Sequence, residues 1–195
     1  MLKIGYSGIP SSGKTTTARA LAGALRANSS FKTIELVDEY ARKYLAKYGI
    51  EDITDQIRIL AKQKALEDII PPTVDVMITD SPIFLGFNYS LDLRREGNKK
   101  DTMLLNDLFK ELSKCNETPR YDIIFHISPK AEIINDGVRA SHHLDPKWRE
   151  IAELKTVALY YIFKPRLFVC LKGDTVEQRV KESIAYIKEF VSNQP

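Results

Sequence analysis

The chain has 195 residues, 44% hydrophobic and 28% charged, a balance that suits one folded domain (residues 1–195) and excludes a disordered chain. A net charge of +3 is too small to single out nucleic acid as a partner, and two cysteines, Cys115 and Cys170, make neither a disulfide framework nor a zinc site. No apolar run approaches the ~20 residues that span a bilayer, and Met1 leads straight into a strand pattern. We therefore expect a cytoplasmic protein with no membrane partner.

Short apolar runs alternate with helical periodicity along the chain. Leu2 to Tyr6 reads as a strand, and Lys14 to Ala27 as a helix with Ala18, Leu21, Ala22 and Leu25 on one face. Thr33 to Val37 is a second strand. Tyr40 to Tyr48 and Thr54 to Ile70 carry helical spacing, and Pro71-Pro72 ends the second of them. Val74 to Thr79 is a third strand. The charged stretch from Leu91 to Asp101 reads as a solvated loop. A helix from Thr102 to Lys114, a strand from Tyr121 to Ile127 and a helix from Pro146 to Phe163 follow. Arg166 to Leu171 closes the strands, with Cys170 expected as a buried thiol. Asp174 and Glu177 fit a capping box at the start of the last helix. Strands separated by helices predict an α/β fold with a parallel sheet covered on both faces.

Between the first strand and the first helix stands GIPSSGKT, Gly8 to Thr15, a full match to G-x-x-x-x-G-K-[ST] in its proper context. The glycines let the backbone approach an anion, and the loop N–H groups and helix N-terminus point at phosphate oxygens. Candidate triphosphate contacts are Gly8, Ser11, Ser12, Gly13, Lys14, Thr15 and Thr16. Lys14 would reach the β- and γ-phosphates, and Thr15 would place its hydroxyl on Mg²⁺. A second pattern, Asn98-Lys99-Lys100-Asp101, fits the N-K-x-D used for guanine. It follows DLRREG, which is no buried strand, so a solvated charge run is the expectation.

Asp80 ends the third strand, where one carboxylate can hold Mg²⁺; capping the next segment is the alternative. Asp38 and Glu39 end the second strand, at the sheet edge where open α/β folds bind ligands. One of them could accept a proton from an attacking hydroxyl, and Arg42 could hold an anionic group of the acceptor. Alternatively Asp38 caps the following helix and Glu39 pairs with Lys43.

The segments GIPSSGKTTTARAL, DEYARKYL, IRILAKQKALED, VMITDSP and INDGVR, in that order, resemble the NadR-type (AAA_28) P-loop kinase family, which includes ribosylnicotinamide kinase domains. The resemblance covers nearly the whole chain. It implies a three-layer fold with a 2-3-1-4-5 parallel sheet, and transfer of the γ-phosphoryl of ATP, with Mg²⁺, to a nucleoside-type hydroxyl. It also implies that Glu39, Arg42 and Gln63 face the acceptor, that Asp80 sits at the Mg²⁺ centre, and that a lid over about 130–146 carries Arg139 toward the transferring phosphate. Trp148 reads as core, and the adjacent His142-His143 pair is not spaced for zinc. The segment SPIFLGFNYSLDLRREGNKK departs from the family pattern and bears on the acceptor. Phe84, Phe87 and Tyr89 could stack on a base there, and Arg94, Arg95, Lys99 and Lys100 could meet a polyanion, unless these are core aromatics under a solvated loop. Three readings follow: a kinase for a free nucleoside or nucleotide, a kinase for 5-hydroxymethyluracil within DNA, as in phage enzymes of similar size, and a nucleotide-binding switch or adaptor.

Overall fold

The computed structural model describes residues 1–28, 30–50, 52–129 and 145–193. Arg139, His142, His143 and nearly all of the expected lid lie outside them. Five strands form one parallel sheet: β1 (Leu2–Ser7), β2 (Ile34–Val37), β3 (Val76–Asp80), β4 (Ile123–His126) and β5 (Leu167–Cys170), in the order β2-β3-β1-β4-β5. This is the 2-3-1-4-5 order expected. The helices are α1 (Lys14–Asn28), α2 (Tyr40–Tyr48), α3 (Ile53–Asp68), α4 (Phe84–Asp92), α5 (Lys99–Ser113), α6 (Pro146–Ile162) and α7 (Val176–Ser192).

The central strands are apolar on both faces, as a covered parallel sheet requires. One core cluster joins Ile4, Tyr6, Ile78 and Phe125 to Ala18, Leu21 and Leu25 of α1 and Ile187 of α7. The other joins Met77 and Ile124 to Leu60 of α3, Phe84 of α4, Leu105 and Leu108 of α5, and Leu159 of α6. Register brings the strand ends together: Tyr6 pairs with Asp80, and Ser7 with His126. The C-terminal tips of β1, β3 and β4 thus form one edge.

In the segment that departs from the family pattern, FLGFNYSLD forms a helix: Phe84, Leu85 and Phe87 turn into the core while Asn88 donates to Thr156 Oγ1 (3.0 Å) and Ala152 O (3.3 Å). Three sequence expectations change. The charge run at 98–101 is not simply solvated. Asn98 caps α5 by accepting from Asp101 N (3.1 Å), and the Asp101 side chain is 1% exposed, gripped by Arg95 Nε (2.9 Å) and Nη2 (2.7 Å). The capping box of α7 is one residue further on, at Thr175 and Gln178. Cys170 is exposed, because β5 is an edge strand. Trp148 is half-buried in the first turn of α6.

Arg95 holds the Asp101 carboxyl down at about 2. A depressed carboxylate stabilises the fold above its unfolded pKa and loses that contribution as pH falls through the folded one. Asp101→Asn is therefore expected to lower Tm at pH 7, with most of that gap closing by pH 2; equal Tm values at pH 7 would remove this ion pair from the account.

Candidate functional site: a phosphate cradle and two acidic strand exits

The first strand delivers the chain into the glycine loop at the sheet edge. Gly8 has φ +146°, and a Cβ there would fall 2.4 Å from Ile127 O and 2.5 Å from Ser12 Oγ. Gly13 has φ +91°, with Arg179 Nη1 2.8 Å from where a Cβ would stand. Neither position admits a side chain, so the loop closes tightly enough for its amides to face inward. Ser11 also has positive φ, 67°. The Ser11 and Ser12 hydroxyl oxygens are buried and have no hydrogen-bond partner among the described residues. Polar groups left in that state ordinarily mark a missing ligand or water.

Lys14, 8% exposed, folds its ammonium back onto the loop, donating to Gly8 O (2.8 Å) and Ile9 O (3.2 Å). Thr15 is half-buried and Thr16 exposed on the first turn of α1. Two arginines brace the loop from outside: Arg149 Nη1 donates to Pro10 O (3.2 Å) and Arg179 Nη1 to Ser12 O (3.3 Å). Sequence reasoning missed both, since nothing in local spacing links α6 or α7 to a loop more than a hundred residues earlier. It also missed Arg19, which donates to Asp38 Oδ1 (3.1 Å) on the exposed side of the site. His126 was missed as well. It is fully buried at the tip of β4, with Nε2 2.7 Å from Glu153 Oε1 and Nδ1 3.5 Å from Ser7 Oγ. Burial alone would push the Glu153 carboxyl up, but His126, Ser128 and Lys14 together hold it below its usual range.

Asp80 is 2% exposed, and its Oδ1 has no hydrogen-bond partner among the described residues. Burial pushes its carboxyl above the usual range. The Lys14 ammonium, a hydrogen bond with Thr15, and the charges of Arg42 and Arg19 pull it back. A buried carboxylate oxygen of this kind beside a hydroxyl suits a hard cation with oxygen ligands. Thr15 and Asp80 therefore fit Mg²⁺. The next residue, Ser81, has φ +103°, so the chain leaves β3 through a strained turn.

At the exit of β2, Glu39 is the N-cap residue of α2 and makes no side-chain cap bond, while Asp38 pairs with Arg19. The cap position thus falls one residue later than expected, and Asp38 is free of a capping duty. Arg42, one turn into α2, feels Asp80 electrostatically and is exposed. Lys14, Asp38, Glu39, Arg42 and Asp80 are thus gathered at one sheet edge.

Two side chains expected at the acceptor are buried and engaged within the protein. Gln63 is 4% exposed with its amide engaged: Oε1 accepts from Tyr40 N (2.9 Å) and Nε2 donates to Thr79 Oγ1 (3.2 Å). Its amide is thus taken up by the β2 exit and by the end of β3. Phe84 is 0% exposed, stacked on Phe163 (centroids 4.9 Å, 15°) and edge-on to Tyr121 (5.5 Å). Its faces are spent on the core, and Phe87, 8% exposed, joins the same cluster. Among the described residues no three His, Cys, Asp or Glu side chains cluster as a metal site, and no helix is long and apolar enough to cross a membrane.

A complete glycine loop on the middle strand of a 2-3-1-4-5 sheet, with an acid at the tip of the neighbouring strand, defines a P-loop nucleotide-binding protein. The chain belongs to the AAA_28 family, described as an AAA domain, which matches residues 3–179. No curated protein matches the sequence. Among solved structures, a NadR protein in complex with NR superposes with TM-score 0.75 at 23% identity. That alignment covers 99% of this chain and 52% of the other, so the chain spans about half the length of that NadR structure. A thymidylate kinase from Candida albicans matches with TM-score 0.61 at 16% identity, over 96% of this chain and 91% of that one. A deoxyadenosine kinase from M. mycoides, with the product dCMP and a flexible dCDP bound, gives TM-score 0.61 and 16% identity over 96% and 99%. These likenesses establish a shared fold.

Proposed function

We propose that the protein is an ATP-dependent kinase that transfers the γ-phosphoryl group to a hydroxyl of a free nucleoside- or nucleotide-type acceptor. The observation that carries the reading is Asp80: a buried carboxylate oxygen with no hydrogen-bond partner among the described residues, against Lys14 and Thr15 at the mouth of the glycine loop. Such a constellation has a use when a triphosphate and its cation arrive together. The loop amides of Gly8 to Thr16 would hold the phosphates, Lys14 would reach the β- and γ-oxygens, and Thr15 and Asp80 would hold Mg²⁺. Bound there, the cation neutralises charge that develops on the phosphates.

On the acceptor side, Asp38 or Glu39 takes the proton of the attacking hydroxyl, and Arg42 anchors an anionic or polar group of the acceptor. Arg139 would fold over the transferring phosphate, a role that supplies about 10³–10⁵ in rate where it has been dissected. The acceptor class draws support from the fold relatives, which bind NR, dCMP and dCDP or are named for thymidylate and deoxyadenosine.

Incubation with γ-labelled ATP, Mg²⁺ and a panel of nucleosides, nucleotides and hydroxymethylated DNA tests the reading. Label on a free nucleoside or nucleotide is expected. Label on DNA alone would transfer the acceptor role to a base within the polymer, for which exposed Arg94, Lys99 and Lys100 would then be the first contacts to mutate. Label released only as phosphate would favour a switch or adaptor. Within the same assay, amides at the β2 exit separate base from anchor. Asp38→Asn or Glu39→Gln, whichever removes the base, is expected to lower kcat by about 10²–10⁴-fold with the ATP KM kept. Parallel loss of kcat and ATP affinity in both variants would assign the pair a structural role.

A further inference from the structure

Below the site lies a buried polar network that the chemistry above does not use. It begins and ends on backbone amides of the two acidic exits. Tyr40 N, next to Glu39, donates to Gln63 Oε1 (2.9 Å). Ile83 N, three residues after Asp80, donates to Tyr121 Oη (2.9 Å). A backbone N–H can only donate, and this fixes every bond between them. With Oε1 of Gln63 accepting, its Nε2 must face Thr79 Oγ1 (3.2 Å), and the Thr79 hydroxyl proton must go onward to Glu67 Oε1 (3.0 Å). With the Tyr121 oxygen accepting from Ile83, its proton must likewise go to Glu67, whose two oxygens lie 3.0 and 2.9 Å away. Arg120 Nε adds a third donor at 3.0 Å from Oε2.

Three donor arms therefore converge on one carboxylate that is 3% exposed. Burial raises the Glu67 carboxyl and Arg120, Tyr121 and Thr79 counter it. Arg120 is itself held by Asp68 Oδ1 (2.9 Å) and Lys64 O (3.4 Å), so this third donor is pinned to the helix that carries Glu67.

We propose that Glu67 is a positioning residue: as the common acceptor of two hydrogen-bond arms of fixed polarity, it holds the β2 exit carrying Asp38 and Glu39 in register with the β3 exit carrying Asp80. Its consequence for catalysis rests on the kinase reading; the hydrogen-bond arrangement does not. Exchanging one carboxylate oxygen for an amide puts a donor where only donors arrive. One arm must then break or reverse, and a reversed hydroxyl finds its next neighbour already donating to it. With the amide nitrogen at the Oε1 position, which serves both Thr79 and Tyr121, the defect runs to a loop amide rather than staying at residue 67.

Amide hydrogen exchange on the full chain tests this without any need for activity. Gln63→Leu is expected to speed exchange at Tyr40 only, and Tyr121→Phe at Ile83 only. Glu67→Gln is expected to speed at least one of the two, by about tenfold relative to the sheet amides of Ile4 and Ile124, as loss of one hydrogen bond implies. Glu67→Gln that leaves both loop amides at wild-type rates, or speeds them only in step with Ile4 and Ile124, would overturn the proposal. Should Glu67→Gln fail to fold, the two single-arm variants decide it, since each keeps the carboxylate: uncoupled loss at Tyr40 and Ile83 is expected, and no selective loss at either would overturn it. With an acceptor in hand, Glu67→Gln is expected to lower kcat by about tenfold while affinity for ATP without Mg²⁺ stays within about twofold, because the glycine loop is not part of the network. An equal loss in both would reduce Glu67 to a general stabiliser. If no acceptor is ever found, the exchange result still stands.

Discussion

Lys14→Ala is expected to lower phosphoryl transfer by about 10²–10³-fold or more, the scale on which a single preorganised donor to developing charge acts. The ammonium is already at the loop, bonded to Gly8 O and Ile9 O. Its tether is flexible, so it needs only to swing from carbonyl oxygens to phosphate oxygens. Alanine removes both bonds and the positive charge from the one place where a triphosphate's charge would concentrate. The fold should survive: each lost bond is worth about 1 kcal/mol net, and the core beneath the loop is untouched. Circular dichroism should therefore match the parent, with Tm lower by a few degrees at most. A folded Lys14→Ala protein with parental activity would contradict the scheme.

Asp80→Asn should produce two opposite effects, which makes it the more diagnostic substitution. The Asp80 carboxyl is raised by burial, which means the ionised form is held at a cost in the folded chain. For a carboxyl with a raised folded pKa, stability is fully present below the unfolded pKa and declines as pH rises through the folded one. At neutral pH the ligand-free asparagine variant should thus melt higher than the parent, by about 2–4 °C for each kcal/mol of relieved penalty in a chain of this size. The same substitution takes away the anionic oxygen proposed to hold Mg²⁺, so Mg²⁺-dependent stabilisation by ATP should vanish and transfer should fall by about 10²–10³-fold. A variant that melts lower without ligand would mean that Asp80 is a capping or structural acid.

Much of this was legible in the sequence, for physical reasons that can be named. The strands and the glycine loop are local signals: apolar runs of four to six residues, and a motif whose residue types each answer a demand of phosphate binding. Family resemblance supplied the strand order. What failed depended on tertiary partners. Gln63 was an acceptor contact only by what the family resemblance implied, and a backbone amide from α2 and a hydroxyl from β3 claim its side chain. Phe84 looked like a stacking platform because aromatic residues near charges suggest bases; Phe163, just after α6, and Tyr121, just before β4, pack against it. Asp101 looked solvated among lysines, and only the return of Arg95 buries it. Arg149, Arg179 and His126 gave no signal, since their partners lie on elements distant in sequence.

Calorimetric titration with ATP, with and without Mg²⁺, most directly tests the central claim that the loop closing β1, together with Asp80, holds a magnesium–nucleoside triphosphate. The account predicts one saturable site that tightens when Mg²⁺ is present and is lost in Lys14→Ala. A folded protein that takes up no purine triphosphate in either condition would contradict it.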